Sequence, residues 1–284
     1  MIRRVLINLL LVFVMLFTIG CGDAKIASGK DTSTQNKEDT AVEKTYSILF
    51  IGNSYTYYND MPTAIFKQFA ISAGYKVEVN AITNGGHKLS EFAEPSDEFG
   101  ARVESVLKSD KRYDYIILQE QSLRPTLEGD VNKFYDAVRN LAERIRKTGA
   151  KPILYSTWGR KTGSTELNKY SFTNETMTWK LAASYQTIGD ELEIDVAHAG
   201  LAFYDVFTNH SDIELYNLDK SHPSYEGSYL AATTLFAKIF NLNPTTVSYT
   251  GRLSQEKADI LCEAAKRVVF ETPSITEEYK TVTK

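Results

Sequence analysis

Two short stretches carry residue types that together can perform nucleophilic chemistry. The first is Phe50-Ile-Gly-Asn-Ser-Tyr-Thr56, whose Ser54 follows the apolar run Ser47-Ile-Leu-Phe-Ile51. That run is short and β-rich, as a buried strand is. Gly52-Asn53-Ser54 breaks it, and Asn59-Asp60-Met61-Pro62 predicts a helix start with proline in its first turn. A hydroxyl at such a turn sits at the carboxyl end of a strand, where open α/β sheets place their ligands. It also lies beside helical N–H groups that favour developing negative charge. The second stretch is Asp219-Lys-Ser-His222-Pro-Ser, before a predicted helix. A serine at neutral pH needs a base within hydrogen-bond reach, and the base needs an orienting carboxylate. Of the four histidines, His87 neighbours a glycine pair, His198 follows a strand and His210 sits in a polar loop. His222 differs in having a carboxylate three residues ahead on one turn before a predicted helix, with Pro223 fixing the helix entry behind it. Each stretch also has a purely local explanation, in which Asn53, Ser54 or Asp219 caps a turn.

The elements that must position these residues follow from hydrophobic period. Strands are predicted at Tyr75–Ile82, Tyr113–Leu118, Pro152–Tyr155 and Glu193–Ala197, besides the run before Ser54. Helices are predicted around Ile65–Ala73, Phe99–Leu107, Val131–Lys147, Met177–Ile188, Pro223–Phe240 and Ser254–Phe270. Strands that are apolar throughout and alternate with helices indicate a parallel sheet covered on both faces.

The amino terminus reads as an address. Met1-Ile-Arg-Arg4 is basic, Val5–Phe17 is apolar but too short to span a bilayer, and Thr18-Ile-Gly-Cys21 follows. This resembles a bacterial lipoprotein signal, which implies a lipid on Cys21 as first mature residue; an ordinary signal peptide with an incidental cysteine is the alternative. The expected organisation is a signal peptide over 1–20, a flexible polar tether over 21–43, a folded domain over 44–270 and a polar tail over 271–284. With 43% hydrophobic residues, the domain has material for a sizeable core. A formal net charge of −4 argues against nucleic acid as a partner. Cys262, the only other cysteine, lies among Leu261, Ala264, Ala265 and Val268 and reads as a buried helical thiol. No Cys/His cluster and no phosphate-cradling glycine loop is present, so neither a metal nor a cofactor is expected.

Taken together, a Gly-x-Ser after the first strand, a glycine after the second, an amide after the third and Asp-x-x-His-Pro before a late helix resemble the SGNH (GDSL-like) hydrolase family. The resemblance spans about residues 45–240. It implies a three-layer α/β/α sandwich around a parallel, flavodoxin-like five-stranded sheet. It further implies Ser54 as nucleophile, His222 as base and Asp219 as its orienter. The implied oxyanion donors are the Ser54 N–H, a glycine N–H from Gly86 (or Gly85) and the side-chain amide of Gln121 (or Gln119). Donors of this kind match a tetrahedral intermediate, which develops one negative oxygen. The chain departs from the family in two places: Asn53 stands where an aspartate is usual, and Gln119-Glu-Gln-Ser122 replaces the usual Gly-x-Asn-Asp. Glu120, Arg124, Trp158 and Arg160 fall in loops after strands three and four, where they are candidates to bind a sugar, although Trp158 fits a core equally well. The resulting expectation is an extracytoplasmic, lipid-anchored serine esterase acting on acylated glycans, most simply O-acetyl groups. A lipid or small-ester hydrolase, or a glycan-binding lipoprotein of the same fold without catalysis, is the alternative.

Overall fold

Residues 44–272 and 275 are described by a computed structural model. The expected signal, Cys21 and tether lie outside them, as do 273–274 and 276–284 of the expected tail.

The strand before Ser54 forms the middle of the molecule. In β1 (Thr45–Gly52), Ile48 to Ile51 are no more than 1% exposed. Alternate side chains point to opposite faces, so Ile48 and Phe50 enter one core while Leu49 and Ile51 enter another. After β1 come α1 (Ser54–Tyr57), a 3₁₀ turn, a π-helical turn (Met61–Phe66) and α2 (Lys67–Ser72). The chain continues through β2 (Lys76–Thr83), α3 (Leu89–Phe92), α4 (Glu98–Lys108), β3 (Tyr115–Leu118), α5 (Glu128–Lys147) and β4 (Lys151–Ser156). It ends with α6 (Thr165–Lys169), α7 (Asn174–Leu192), β5 (Val196–His198), α8 (Ala199–Asn209), α9 (Tyr225–Phe240) and α10 (Gln255–Lys266). The sheet order is β2-β1-β3-β4-β5, and every pair is parallel. Residues of α2, α8, α9 and α10 share the first core, and residues of α3, α4, α5 and α7 share the second. The result is the expected three-layer α/β/α sandwich. Because β2 and β3 flank β1 on opposite sides, the strand order reverses at β1, which opens a crevice at its carboxyl end.

Several expected boundaries shift for identifiable reasons. The helix expected from Asn59 onward begins earlier, at Ser54, and Asn59 and Asp60 are left-handed, with φ of 55° and 51°. The fifth strand was expected at Glu193–Ala197 but occupies Val196–His198. Glu193 instead closes α7 in a left-handed conformation, and the Ile194 N–H donates to Gly189 O at 2.8 Å, so the apolar Ile194 belongs to a helix cap. Helix α8 was not anticipated, because Ala199 to Phe203 are all buried and a helix apolar around most of its surface has no polar face to reveal the period. Cys262 is buried beside Tyr229, whose hydroxyl is 3.6 Å from Sγ, and burial pushes the thiol up to about 11.

Candidate active site

The turn after β1 is built so that only glycine fits its first position. A Cβ on Gly52 would lie 2.4 Å from Thr56 Oγ1 and 2.6 Å from Gln119 Oε1. Asn53 then serves as N-cap of α1: its Oδ1 accepts from the Tyr55 N–H at 3.2 Å. Its other groups tie the turn to the neighbouring loops, with Nδ2 donating to His87 O at 2.9 Å and N–H donating to Gln119 Oε1 at 2.8 Å. Where the family usually has aspartate, the asparagine thus supplies a donor as well as an acceptor. Ser54 is the first residue of α1, and its N–H has no intrahelical acceptor.

The second stretch is a compact loop. Asp219 Oδ1 accepts from the Ser221 and His222 N–H groups, each at 2.9 Å, and Oδ2 meets His222 Nδ1 at 2.5 Å. Burial works against ionisation of Asp219, but the His222 ring and the two N–H groups outweigh it and hold the carboxyl below its ordinary value. The loop is pinned further by the Asn217 N–H, which donates to His222 O at 2.8 Å. This turn faces the first one across the crevice: His222 Nε2 lies 2.8 Å from Ser54 Oγ. Ser54, His222 and Asp219 therefore form one hydrogen-bonded line, able to draw the Ser54 proton onto Nε2 while the carboxylate steadies the charge left on the ring.

Two of the remaining histidines, His87 and His198, are committed elsewhere. His87 Nε2 pairs with Asp97 at 2.9 Å, and its Nδ1 is 3.1 Å from Asn84 Nδ2. His198 is bound to Gln186 Oε1 at 2.8 Å, and burial, with a contribution from Lys238, pushes it down to about 3.

Of the expected oxyanion donors, Gly86 occupies a loop closed by the His87 N–H on Asn84 O and has φ of 69°, the left-handed third position that favours glycine. Gly85 packs against Tyr57, whose hydroxyl would be 3.2 Å from an added Cβ. Gln119 is fully buried; its Oε1 accepts from the Asn53 N–H and from Thr56 Oγ1, and its Nε2 donates to Glu120 O. It braces the Ser54 turn. Gln121 Oε1 accepts from the Leu123 and Arg124 N–H groups at 3.0 and 3.3 Å, which leaves its NH2 as the half that can donate elsewhere.

Two candidate sugar contacts need correction. Trp158 is fully buried, stacked between Tyr55 at 4.7 Å and Phe203 at 3.9 Å, with ring planes within 6° in both pairs. Its Nε1 donates to Ser221 O at 3.1 Å, so it supports the backbone next to His222 rather than presenting a face to ligand. Glu120 is likewise fully buried. Its Oε1 accepts from the Leu89 N–H at 3.2 Å and the Gln121 N–H at 2.6 Å, and Oε2 has no partner among the described residues. Arg160 is mostly covered and reaches Ser221 Oγ and Ser122 Oγ, again beneath His222. Tyr55, whose hydroxyl shares a hydrogen bond with Ser221 Oγ at 2.7 Å, completes this support. Its role escaped the sequence reading, because nothing in the run Tyr55-Thr-Tyr-Tyr58 marks which ring turns inward.

Burial dominates at Glu120 and pushes its carboxyl up to about 7. A carboxyl raised on folding stabilises the fold when protonated. The contribution is complete below the ordinary value of 4.5 and is lost as pH rises towards 7. Glu120→Gln keeps an oxygen for the two N–H groups and cannot ionise. Thermal midpoints compared from pH 4 to 8 should therefore show the parent losing stability relative to this variant between about 4.5 and about 7. Parallel curves across that window would refute the assignment.

No protein-family description matches this chain, and no curated protein does either. Solved structures do match. A candidate SGNH hydrolase from Slackia heliotrinireducens is 28% identical, covers 69% of this chain and all of its own, and superposes with a TM-score of 0.59. A DUF4886 family protein from Bacteroides uniformis is 18% identical, covers 83% of this chain and 99% of its own, and has a TM-score of 0.67. The acetyl xylan esterase AlAXEase is 14% identical over 67% of this chain and 98% of its own, with a TM-score of 0.50. At the latter two identities the likeness speaks for the fold. Parallel sheet, strand order and structural neighbours agree: this chain has the fold of the SGNH/GDSL-like hydrolases.

Proposed function

We propose that the chain is a serine esterase that removes acyl groups, O-acetyl foremost, from glycans. The observation that carries the proposal is the unbroken line from Ser54 Oγ through His222 to Asp219, at 2.8 and 2.5 Å. In this reading Ser54 Oγ attacks the ester carbonyl while His222 Nε2 takes its proton. The carbonyl oxygen becomes an oxyanion facing the Ser54 N–H, a glycine N–H of the 84–87 loop and the Gln121 NH2. Collapse breaks the ester C–O bond, and His222 returns the proton to the departing sugar hydroxyl. Water, deprotonated by His222, then cleaves the acyl-serine and releases the carboxylic acid. Asp219 stays ionised throughout and stabilises the transient imidazolium.

The glycan assignment is supported by the polar loop from Thr157 to Thr165 beside the site, where a lipase would be expected to carry apolar residues. A neighbour named for acetyl xylan shares the fold. The cell-envelope location and the lipid on Cys21 rest on the resemblance of Thr18-Ile-Gly-Cys21 to a lipoprotein signal. One set of measurements covers both aspects. Purified protein should release acetate from p-nitrophenyl acetate and from acetylated xylan and should turn over long-chain esters poorly. Full-length protein should fractionate with membranes, and Cys21→Ser should abolish that. Preference for long acyl chains would replace the glycan reading with a lipid one, and a mature protein beginning elsewhere than Cys21 would remove the anchor.

A further inference from the structure

Just past α1 the chain holds two consecutive non-glycine residues in the left-handed region, Asn59 (φ 55°) and Asp60 (φ 51°). Such backbone costs free energy, and a fold keeps it where surrounding contacts over-determine it. Here the contacts lead to His222. The ring of Tyr58, immediately before the bend, lies flat on the imidazole, with centroids 4.3 Å apart and planes within 8°. Asn59 Nδ2 crosses to the segment just after His222 and shares its two hydrogens among Pro223 O, Ser224 O and Ser228 Oγ at 3.3, 3.0 and 2.8 Å. Ser228 Oγ donates back to Tyr58 O at 3.3 Å.

We propose that Tyr58 and Asn59 form a clamp that positions His222 for proton transfer, an inference that rests on His222 being the base. The hydrogen bonds to Asp219 and Ser54 lie roughly in the imidazole plane. They fix rotation within that plane and resist tilting out of it only weakly. A second ring on the face blocks the tilt, and the edge of Tyr55, at 5.6 Å and 69°, bounds the ring as well. When the ring becomes a cation in the tetrahedral stage, the electron-rich face of Tyr58 lies against it. Asn59 fixes the backbone from which the ring hangs, so ring and backbone are held by adjacent residues. The left-handed bend is what lets one residue face the ring and the next face the helix start. Tyr58 belongs to neither buried core, and its hydroxyl makes no hydrogen bond among the described residues, so a role in overall folding does not account for its placement.

The test uses the whole protein with an acetate ester and the variants Tyr58→Leu, Tyr58→Phe and Asn59→Asp. Tyr58→Leu should lower kcat about 10- to 100-fold, the cost of a base displaced by a fraction of an ångström to an ångström, with KM changed less than about 3-fold. Tyr58→Phe, which keeps the stacked ring, should recover most of that loss. Asn59→Asp keeps the shape and tolerates the left-handed backbone but has no N–H to donate, so kcat should fall by about 10-fold. In spectra of protein labelled at the histidine rings, the His222 protons should be shifted upfield by the Tyr58 ring current in the parent and in Tyr58→Phe, and should lose that shift in Tyr58→Leu. Parental kcat in Tyr58→Leu, a change in KM alone, or an unmoved His222 resonance would each overturn the clamp. Ser54→Ala separates this failure from that of the function: if parent and Ser54→Ala hydrolyse the ester equally, the catalytic reading falls and the clamp with it as a catalytic device, whereas the ring-current result still reports whether Tyr58 holds the ring.

Discussion

Replacing Ser54 with alanine is expected to lower ester turnover by about six orders of magnitude while leaving the thermal midpoint where it was. The hydroxyl is the only atom removed, and its recorded partner is His222 Nε2. The N-cap bonds that hold the turn come from Asn53, and Gln119 braces the same turn from below. Neither depends on the Ser54 side chain, so fold and chemistry should separate cleanly. Single-turnover kinetics with p-nitrophenyl acetate would show it: a burst of p-nitrophenol in the parent and none in the variant. Turnover within tenfold of the parent would mean that another nucleophile does the work.

Removal of the base should be nearly as severe, and removal of its orienter less so. His222→Ala is expected to cost about six orders of magnitude in kcat, and Asp219→Asn about four, because the carboxylate orients and stabilises the imidazole without taking the proton. Asp219→Asn also loses an anion that accepts from two N–H groups of the same turn, so a small fall in midpoint should accompany it. The double variant Ser54→Ala/His222→Ala should be no slower than either single one, since members of such a line act as a unit. Additive losses would show that the two residues work independently, and equal losses for His222→Ala and Asp219→Asn would remove the distinction between base and orienter.

How far these residues could be read from sequence depends on how local their signals are. Gly52-Asn53-Ser54 after an apolar strand and Asp219 three residues before His222 are short-range patterns, so their types and spacing were visible. The 2.8 Å between them, across 168 residues, was not, because it depends on the strand order. The parallel sheet was legible from strands apolar on both faces. Trp158 and Glu120 were misplaced for the opposite reason. Each follows a strand, where a ligand contact is a fair expectation, and each is buried by partners from distant elements. Phe203 of α8 covers Trp158, in a helix whose apolar surroundings hid its period, while Leu89 and Tyr185 enclose Glu120. The stack of Tyr58 on His222 had no sequence signal, since any of three neighbouring tyrosines could have turned that way.

The span between Ser54 and His222 also has a temporal side. A chain made from its amino terminus completes the serine turn long before His222 exists, and the loop at 217–223 packs on Tyr55, Trp158 and Arg160, the latter two of which follow β4. Until that loop docks, Ser54 has no imidazole beside it. If Ser54 and His222 act together as proposed, hydrolytic power is acquired in one late step rather than gradually, and recovery of turnover after denaturation should mark the moment when the two stretches meet.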